Sequence, residues 1–305
     1  MDIKEKINVL KRERNAVILA HNYVPGEVQD VADFVGDSLE LSIKAKNAGA
    51  PVIVFCGVSF MAETAKILSP ESTVLHPVPS AGCPMADMAG AEAVGAWKRE
   101  AAARSAEAPC LVAYVNTTAA VKAEVDICCT SANAEKVVRS IPAGKKILFL
   151  PDCNLGANIV AATGREMELW PGFCPIHDRI TAEAVNDAKK SNPAAMLLVH
   201  PECRPEIVAM ADRSLSTGGM LRFVKESAAT EFIIGTEYGI LHRMRAENPG
   251  KIFHTLTPVP SCVNMKRITL ESLLDALEHM RYPVELPQEL MDKARAPIER
   301  MLRIV

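Results

Sequence analysis

Three stretches of this chain repeat the same features in the same order at nearly constant spacing. Val17-Ile-Leu-Ala-His21, Leu111-Val-Ala-Tyr114 and Met196-Leu-Leu-Val-His200 are apolar strand candidates, each ending on a ring side chain, and the ring positions lie 93 and then 86 residues apart. Second strand candidates follow in step over residues 52–55, 147–150 and 232–234. Each stretch then closes on a turn with a cysteine: Pro79-Ser-Ala-Gly-Cys83, Pro171-Gly-Phe-Cys174 and Pro258-Val-Pro-Ser-Cys262. These cysteines are 91 and 88 residues apart, each 24 to 28 residues beyond the end of its second strand. Self-similarity on that scale marks a repeated supersecondary unit. The chain reads as a triplicated α/β unit with one equivalent cysteine in each copy.

Short apolar runs bounded by turn residues alternate with helical patterns, the signature of buried, largely parallel strands covered by helices. Strands are expected over 17–20, 52–55 and 74–76, with helices over 28–46 and 60–68 between them. The tail over 270–302 reads as two helices broken around Pro283 and Pro287.

Charge and composition remove whole classes of function. Asp and Glu outnumber Lys and Arg by 37 to 34, so no global positive field draws the chain to nucleic acid or an anionic membrane. Aromatics are 5% of residues, too few to build a base-stacking platform. The longest stretch free of acidic and basic residues runs over 47–62, too short to span a bilayer and interrupted by Pro51 and Gly57. The opening Met1-Asp-Ile-Lys-Glu-Lys-Ile lacks an apolar export core. Nine cysteines are an odd count and far below a disulfide-scaffold composition. Free thiols in a reducing cytoplasm are therefore expected, with no nucleic-acid or membrane partner.

In open parallel α/β units, ligands collect beyond the carboxyl ends of the strands. Three such units around a pseudo-threefold axis would aim their loops at one point, so Cys83, Cys174 and Cys262 could meet there. Three thiolates are one short of filling a [4Fe-4S] cluster, and the fourth iron would be open to substrate as a Lewis acid. A zinc ion on the same three thiolates is the competing reading, since zinc also takes thiolates with water as fourth ligand. Three inert buried thiols are the remaining one. Cys56, Cys110, Cys128, Cys129, Cys153 and Cys203 have no equivalents and read as core or bystander thiols.

His21, Tyr23, Tyr114, Asn116, His200 and Glu202 fall at or just beyond the ends of the first strands. A buried glutamate is costly unless paired, so Glu202, between His200 and Arg204, suits proton transfer or a charge network. Ser38, Ser131 and Ser216-Thr217 each precede a helical pattern, where a hydroxyl and helix-start amides hold carboxylate or phosphate, or simply cap the helix. No dinucleotide or nucleoside-triphosphate glycine signature is present. His177 either touches the bound group or orients the Cys174 loop. His76, His242, His254 and His279 read as ordinary structural histidines.

Several motifs then carry a resemblance: Ala20-His-Asn-Tyr23, Gly36-Asp-Ser-Leu39, Ala81-Gly-Cys-Pro-Met-Ala-Asp87, Ala113-Tyr-Val-Asn116 and Cys129-Thr-Ser-Ala-Asn133. With Pro171-Gly-Phe-Cys-Pro-Ile-His177, Val199-His-Pro-Glu-Cys203, Ser216-Thr-Gly-Gly-Met220 and Cys262-Val-Asn-Met-Lys266, they cover nearly the whole chain in order. Together they resemble the quinolinate synthase (NadA) family. The resemblance implies three homologous αβα domains around a pseudo-threefold axis, drawn here as 1–84 with 263–305, 85–175 and 176–262. It implies condensation of iminoaspartate with dihydroxyacetone phosphate to quinolinate in NAD biosynthesis. It also implies a [4Fe-4S] cluster on Cys83, Cys174 and Cys262. His21, Ser38, Tyr114, Val115, Asn116, Ser131, His200, Pro201, Glu202 and Thr217 would contact the substrate, with His177 beside them. Tyr23, Glu202 and His200 are taken as the set that moves protons. The enzyme that supplies iminoaspartate is the one protein with which a transient encounter is left open.

Overall fold

The computed structural model describes residues 2–104 and 108–304. Met1 and Val305, the outer limits of the expected first domain, lie outside the described residues. Three four-stranded sheets, all parallel, follow one another along the chain. The first holds β1 (Ala16–His21), β2 (Phe34–Gly36), β3 (Val52–Cys56) and β4 (Thr73–Leu75) in the order β2-β1-β3-β4. The second holds β5 (Cys110–Tyr114), β6 (Ile127–Cys129), β7 (Ile147–Leu150) and β8 (Glu168–Leu169) in the order β6-β5-β7-β8. The third holds β9 (Met196–Val199), β10 (Arg213–Ser214), β11 (Glu231–Gly235) and β12 (Ile252–Thr255) in the order β10-β9-β11-β12. Identical strand order in all three sheets bears out the triplication. The central strands carry apolar residues on both faces because helices cover both sides, as parallel sheets require; all five residues of β3 and all four of β7 are buried.

The strand leading out of each first helix is the element that sequence periodicity misses. Residues 28–46 are not one helix: Gly26–Val31 ends at Ala32, β2 follows, and a new helix runs over Ser38–Asn47. The cause is an aspartate repeated in each copy. Asp33, Asp126 and Asp212 accept from the backbone N–H of Ile18, Leu111 and Leu197 at 2.8, 2.8 and 2.7 Å. Their own N–H groups donate back to the carbonyls of the same three residues at 2.9, 3.0 and 3.0 Å. Each aspartate thus docks the start of a two- or three-residue strand against the first strand, at a length too short for any period to show.

The two tail helices form as expected, over Leu270–His279 and Gln288–Leu302. The first packs on the amino-terminal helix Ile3–Glu13. The last packs across β6 and the helix Ala119–Lys122, where the Asn133 carboxamide donates to the carbonyls of Met301 and Ile304 at 3.2 and 2.7 Å. One contiguous apolar core runs through the first two units and into the third, which keeps a smaller cluster of its own around Val185, Leu197 and Ile233. Among the described residues no helix is long and apolar enough to cross a membrane.

Candidate active site

The carboxyl ends of all three sheets open on one cavity of about 240 Å³. The same parts arrive from each unit. His21, Tyr114 and His200 stand at or just past the ends of β1, β5 and β9, all 5% exposed or less, and all three line the cavity. Two residues further on, Tyr23, Asn116 and Glu202 line it as well. The backbone N–H of Tyr23 donates to His21 Nδ1 at 3.2 Å, and that of Glu202 to His200 Nδ1 at 3.3 Å. An Nδ1 that accepts carries no proton, so each neutral ring keeps its hydrogen on Nε2. Burial lowers the pKa of His21 to about 3 and of His200 to about 4, so both rings are neutral near pH 7.

Ser38, Ser131 and Thr217 bring one hydroxyl per unit to the same cavity. They sit at equivalent places, five residues after the docking aspartates Asp33, Asp126 and Asp212. None of the three caps its helix. Asp37 caps the helix that Ser38 begins and Ser216 caps the helix that Thr217 begins, while Thr217 Oγ1 accepts from the Asn22 carboxamide at 3.0 Å. The hydroxyls are therefore available to a ligand rather than spent on helix starts. Val115 and Pro201 do not line the cavity; their part is played by backbone carbonyls.

Cys83, Cys174 and Cys262 occupy one further equivalent place, the N-cap of the one-turn helices Pro84–Asp87, Pro175–Asp178 and Val263–Lys266. All three line the cavity. Each sulfur faces backbone N–H groups of its own turn: Ala86 and Met85, His177, and Met265 and Asn264. Burial nonetheless raises all three thiol pKa values, that of Cys83 to about 12. A trio of protonated thiols lining one cavity, each supplied with N–H donors, is a donor set that gains greatly from a metal able to take the proton's place. Among the described residues, the one group of donors close enough to share a single ion is Cys174, His177 and Glu202, within 4.8 Å of one another. Cys83 and Cys262 lie outside that group. All nine cysteines are free.

The most telling feature is a hydrogen-bonded chain of buried side chains that crosses the unit boundaries. The Tyr114 hydroxyl donates to Glu202 Oε1, and His177 Nδ1 lies 2.7 Å from Glu202 Oε2. His177 Nε2 lies 2.8 Å from Thr236 Oγ1, which lies 2.5 Å from the Tyr23 hydroxyl. Burial alone would raise the Glu202 pKa, but His200, His177 and Tyr114 reverse this and hold it below the usual carboxylate range. An ionised Glu202 is acceptor only, so His177 carries its proton on Nδ1 and accepts from Thr236 on Nε2. Burial and the Glu202 charge push the Tyr23 and Tyr114 pKa values well above 10, so both phenols are protonated at rest. The expected charge network around Glu202 thus exists: His200 belongs to it, with Nδ1 3.9 Å from Glu202 Oε2, and His177 and Tyr114 complete it. Arg204 turns away to Glu206, 3.1 Å from its Nε. His200 stacks on His177 with ring centres 4.8 Å apart.

Thr236 and Glu237 are the functional residues that sequence reasoning passes over. They follow β11, which pairs with β9, whereas the candidates that sequence offers stand at the ends of β1, β5 and β9. The signal was the same one, a polar residue just past an apolar strand. Glu237 is buried against Lys266, 2.8 Å away, and accepts from the N–H of Cys262 at 3.2 Å, which steadies the cysteine loop. The Asn116 Oδ1 is buried without a partner and faces the cavity, an acceptor held open for a ligand. The described lining contains no Lys or Arg, so anions must be met by neutral donors or by a bound cation.

A family model described as quinolinate synthetase A protein matches residues 5–303. A quinolinate synthase of Dehalococcoides mccartyi is 54% identical over 302 residues, 99% of this chain and 98% of that one. One from Desulforudis audaxviator is 51% identical over 308 residues, all of both chains. Quinolinate synthase 2 of Methanosarcina acetivorans is 49% identical over 302 residues, 99% of this chain and 96% of that one.

Proposed function

The chain belongs to the quinolinate synthetase A family, and on that premise we propose that it condenses iminoaspartate with dihydroxyacetone phosphate, releasing quinolinate, phosphate and two waters. This is an enzyme of NAD biosynthesis that forms a carbon–carbon bond, so carbon must lose protons and leaving oxygens must gain them. The observation that carries the reading is the chain from Tyr114 through Glu202, His177 and Thr236 to Tyr23, set in a cavity that also collects one thiol from each unit.

The direction of proton movement follows from the tautomers. Tyr23 gives its proton to Thr236 as Thr236 passes its own to His177 Nε2, and Glu202 balances the imidazolium that results. Tyr23 becomes a base able to take a proton from the triose carbon, and the reverse flow returns a proton to a leaving oxygen. His200 supports this set by stacking on His177 and offering Nε2–H. His21 Nε2–H and the hydroxyls of Ser38, Ser131 and Thr217 are placed to donate to the carboxylates of iminoaspartate. Asn116 Oδ1 is free to accept from its nitrogen.

Cys83, Cys174 and Cys262 would hold a [4Fe-4S] cluster, which when bound supplies a Lewis-acidic iron with one position open to a substrate oxygen. A single ion on Cys174, His177 and Glu202 is less favoured, because it would break the hydrogen bonds that Glu202 makes to His177 and Tyr114. We also propose the three units as 1–84 with 263–305, 85–175 and 176–262, supported by the packing of Leu270–His279 on Ile3–Glu13. A cytoplasmic workplace is proposed on the strength of nine free thiols.

The test is quinolinate formation by protein purified and loaded with iron and sulfide under strict exclusion of air, supplied with iminoaspartate and dihydroxyacetone phosphate. Product that disappears when the triose phosphate is withheld supports the reading. No product from protein carrying its full iron complement overturns it.

A further inference from the structure

The residues that line the cavity from each unit's first loop, Tyr23, Asn116 and Glu202, have a common backbone setting. In every unit the two carbonyls on either side of the cavity residue are gripped by a single side-chain nitrogen. Gln29 Nε2 donates to the carbonyls of Asn22 and Val24 at 3.1 and 2.9 Å, flanking Tyr23. Lys122 Nζ donates to the carbonyls of Val115, at 2.8 Å, and Thr117, flanking Asn116. Asn158 Nδ2 donates to the carbonyls of Pro201 and Cys203, both at 2.9 Å, flanking Glu202.

Gln29 and Lys122 are themselves equivalent: each stands eight residues after the ring that ends its first strand, His21 or Tyr114. Eight residues after His200 stands Val208, which has no donor. The nitrogen there comes instead from Asn158, on the helix Cys153–Thr163 of the second unit. The same three-point contact has thus been kept in the third loop with a different residue from a different unit, and this recurrence marks it as more than incidental packing. Lys122 is fully buried, its ammonium over the Phe60 ring at 5.3 Å. Gln29 also reaches the Gly239 carbonyl at 3.0 Å.

We propose that Gln29, Lys122 and Asn158 are positioning residues, each fixing the peptide planes on both sides of one cavity residue and so the direction of its side chain. This rests on the functional reading above. Pinning both flanking carbonyls removes the two freedoms by which a loop residue would swing its Cβ, and reacting groups tolerate misplacement of only about 0.5 Å. In the third unit the pin crosses a unit boundary, so the bond between Glu202 and His177 depends on how the second and third units meet.

The experiment compares Asn158→Asp, isosteric but lacking the donor, with Asn158→Ala, in the metal-loaded enzyme, and Gln29→Glu as the counterpart in the first unit. The expected result is a kcat per folded, iron-loaded enzyme lowered about tenfold or more with KM for both substrates within about twofold, and a shifted pH profile of kcat. Crystal structures of the Asn158 variants are expected to show the Glu202 carboxylate moved out of hydrogen-bond reach of His177 Nδ1. Lower thermal stability with unchanged kcat and pH profile would mean that the contact serves folding alone, and overturns the proposal. So does a variant structure with Glu202 in its original place. Should the wild-type enzyme make no quinolinate, the functional reading fails, while the position of Glu202 in the variant crystals still decides the clamp.

Discussion

The Tyr23 hydroxyl and Thr236 Oγ1 lie 2.5 Å apart although 213 residues separate them in the chain. Both are buried just past the ends of strands from different units, and Thr236 Oγ1 also meets His177 Nε2 at 2.8 Å. Replacing Thr236 by Val keeps the volume and removes the link. Turnover is expected to fall by about 10²-fold with little change in KM, because one general-base path is lost; Thr236→Ser should recover most of it. Steady-state kinetics of the two variants decide the matter, and a Val variant as fast as wild type would remove Thr236 from the path.

Glu202→Gln replaces an ionised acceptor by an amide that cannot balance an imidazolium. Turnover should drop by about 10²- to 10⁴-fold while bound iron and sulfide stay at the wild-type level. Activity assays beside metal analysis check this, and near-normal turnover would end the catalytic role given to Glu202.

The three equivalent thiols are expected to behave alike and unlike the other six. Cys83→Ser, Cys174→Ser and Cys262→Ser should each fold yet fail to retain iron, whereas Cys110→Ser, remote from the cavity, should load normally. Iron and sulfide determination on the four proteins separates the outcomes. Full loading of any one of the three would remove that residue from the ligand set.

Acid should destabilise the fold earlier than carboxylate titration alone predicts. His21 and His200 have folded-state pKa values lowered to about 3 and about 4 from 6.5, so the unfolded chain binds protons first. Their contribution is intact above pH 6.5 and is lost as pH falls toward 4 and then 3, at up to about 1.4 kcal/mol per pH unit for each ring. Denaturant titrations between pH 7 and 4 should show this slope. His200→Gln should flatten it by about one proton's worth; an unchanged slope would contradict the assignment.

The docking aspartates give a purely structural prediction. Asp212→Ala leaves the Leu197 N–H without its 2.7 Å acceptor and frees the start of β10. The cost should be about 1–3 kcal/mol in urea-induced unfolding.

Much of the fold and of the site is legible in the sequence. The long apolar strands, the matched cysteines and the ring residues at strand ends carry strong one-dimensional signals, and their threefold recurrence reinforced each. β2, β6 and β10 were illegible because two or three residues show no period, and their cause is a side-chain bond from Asp33, Asp126 or Asp212 to another strand. Thr236 was passed over because a threonine after an apolar run is ordinary until Tyr23 and His177 are seen on either side of it. Sequence adjacency sets Glu202 between His200 and Arg204; His200 does lie beside it, whereas Arg204 pairs with Glu206. His177, 25 residues upstream, holds that place through tertiary contact.

Each copy supplies one thiol, one ring and one hydroxyl, so a single unit contains a third of the centre and nothing that can work by itself. Three identical subunits would assemble a centre of the same outline, but symmetry would compel equal rings and equal hydroxyls at its three corners. Joining the copies in one chain lifts that constraint. His21, Tyr114 and His200 can differ, a glutamate can stand where the other copies have tyrosine and asparagine, and an asymmetric substrate finds an asymmetric host built on a symmetric frame.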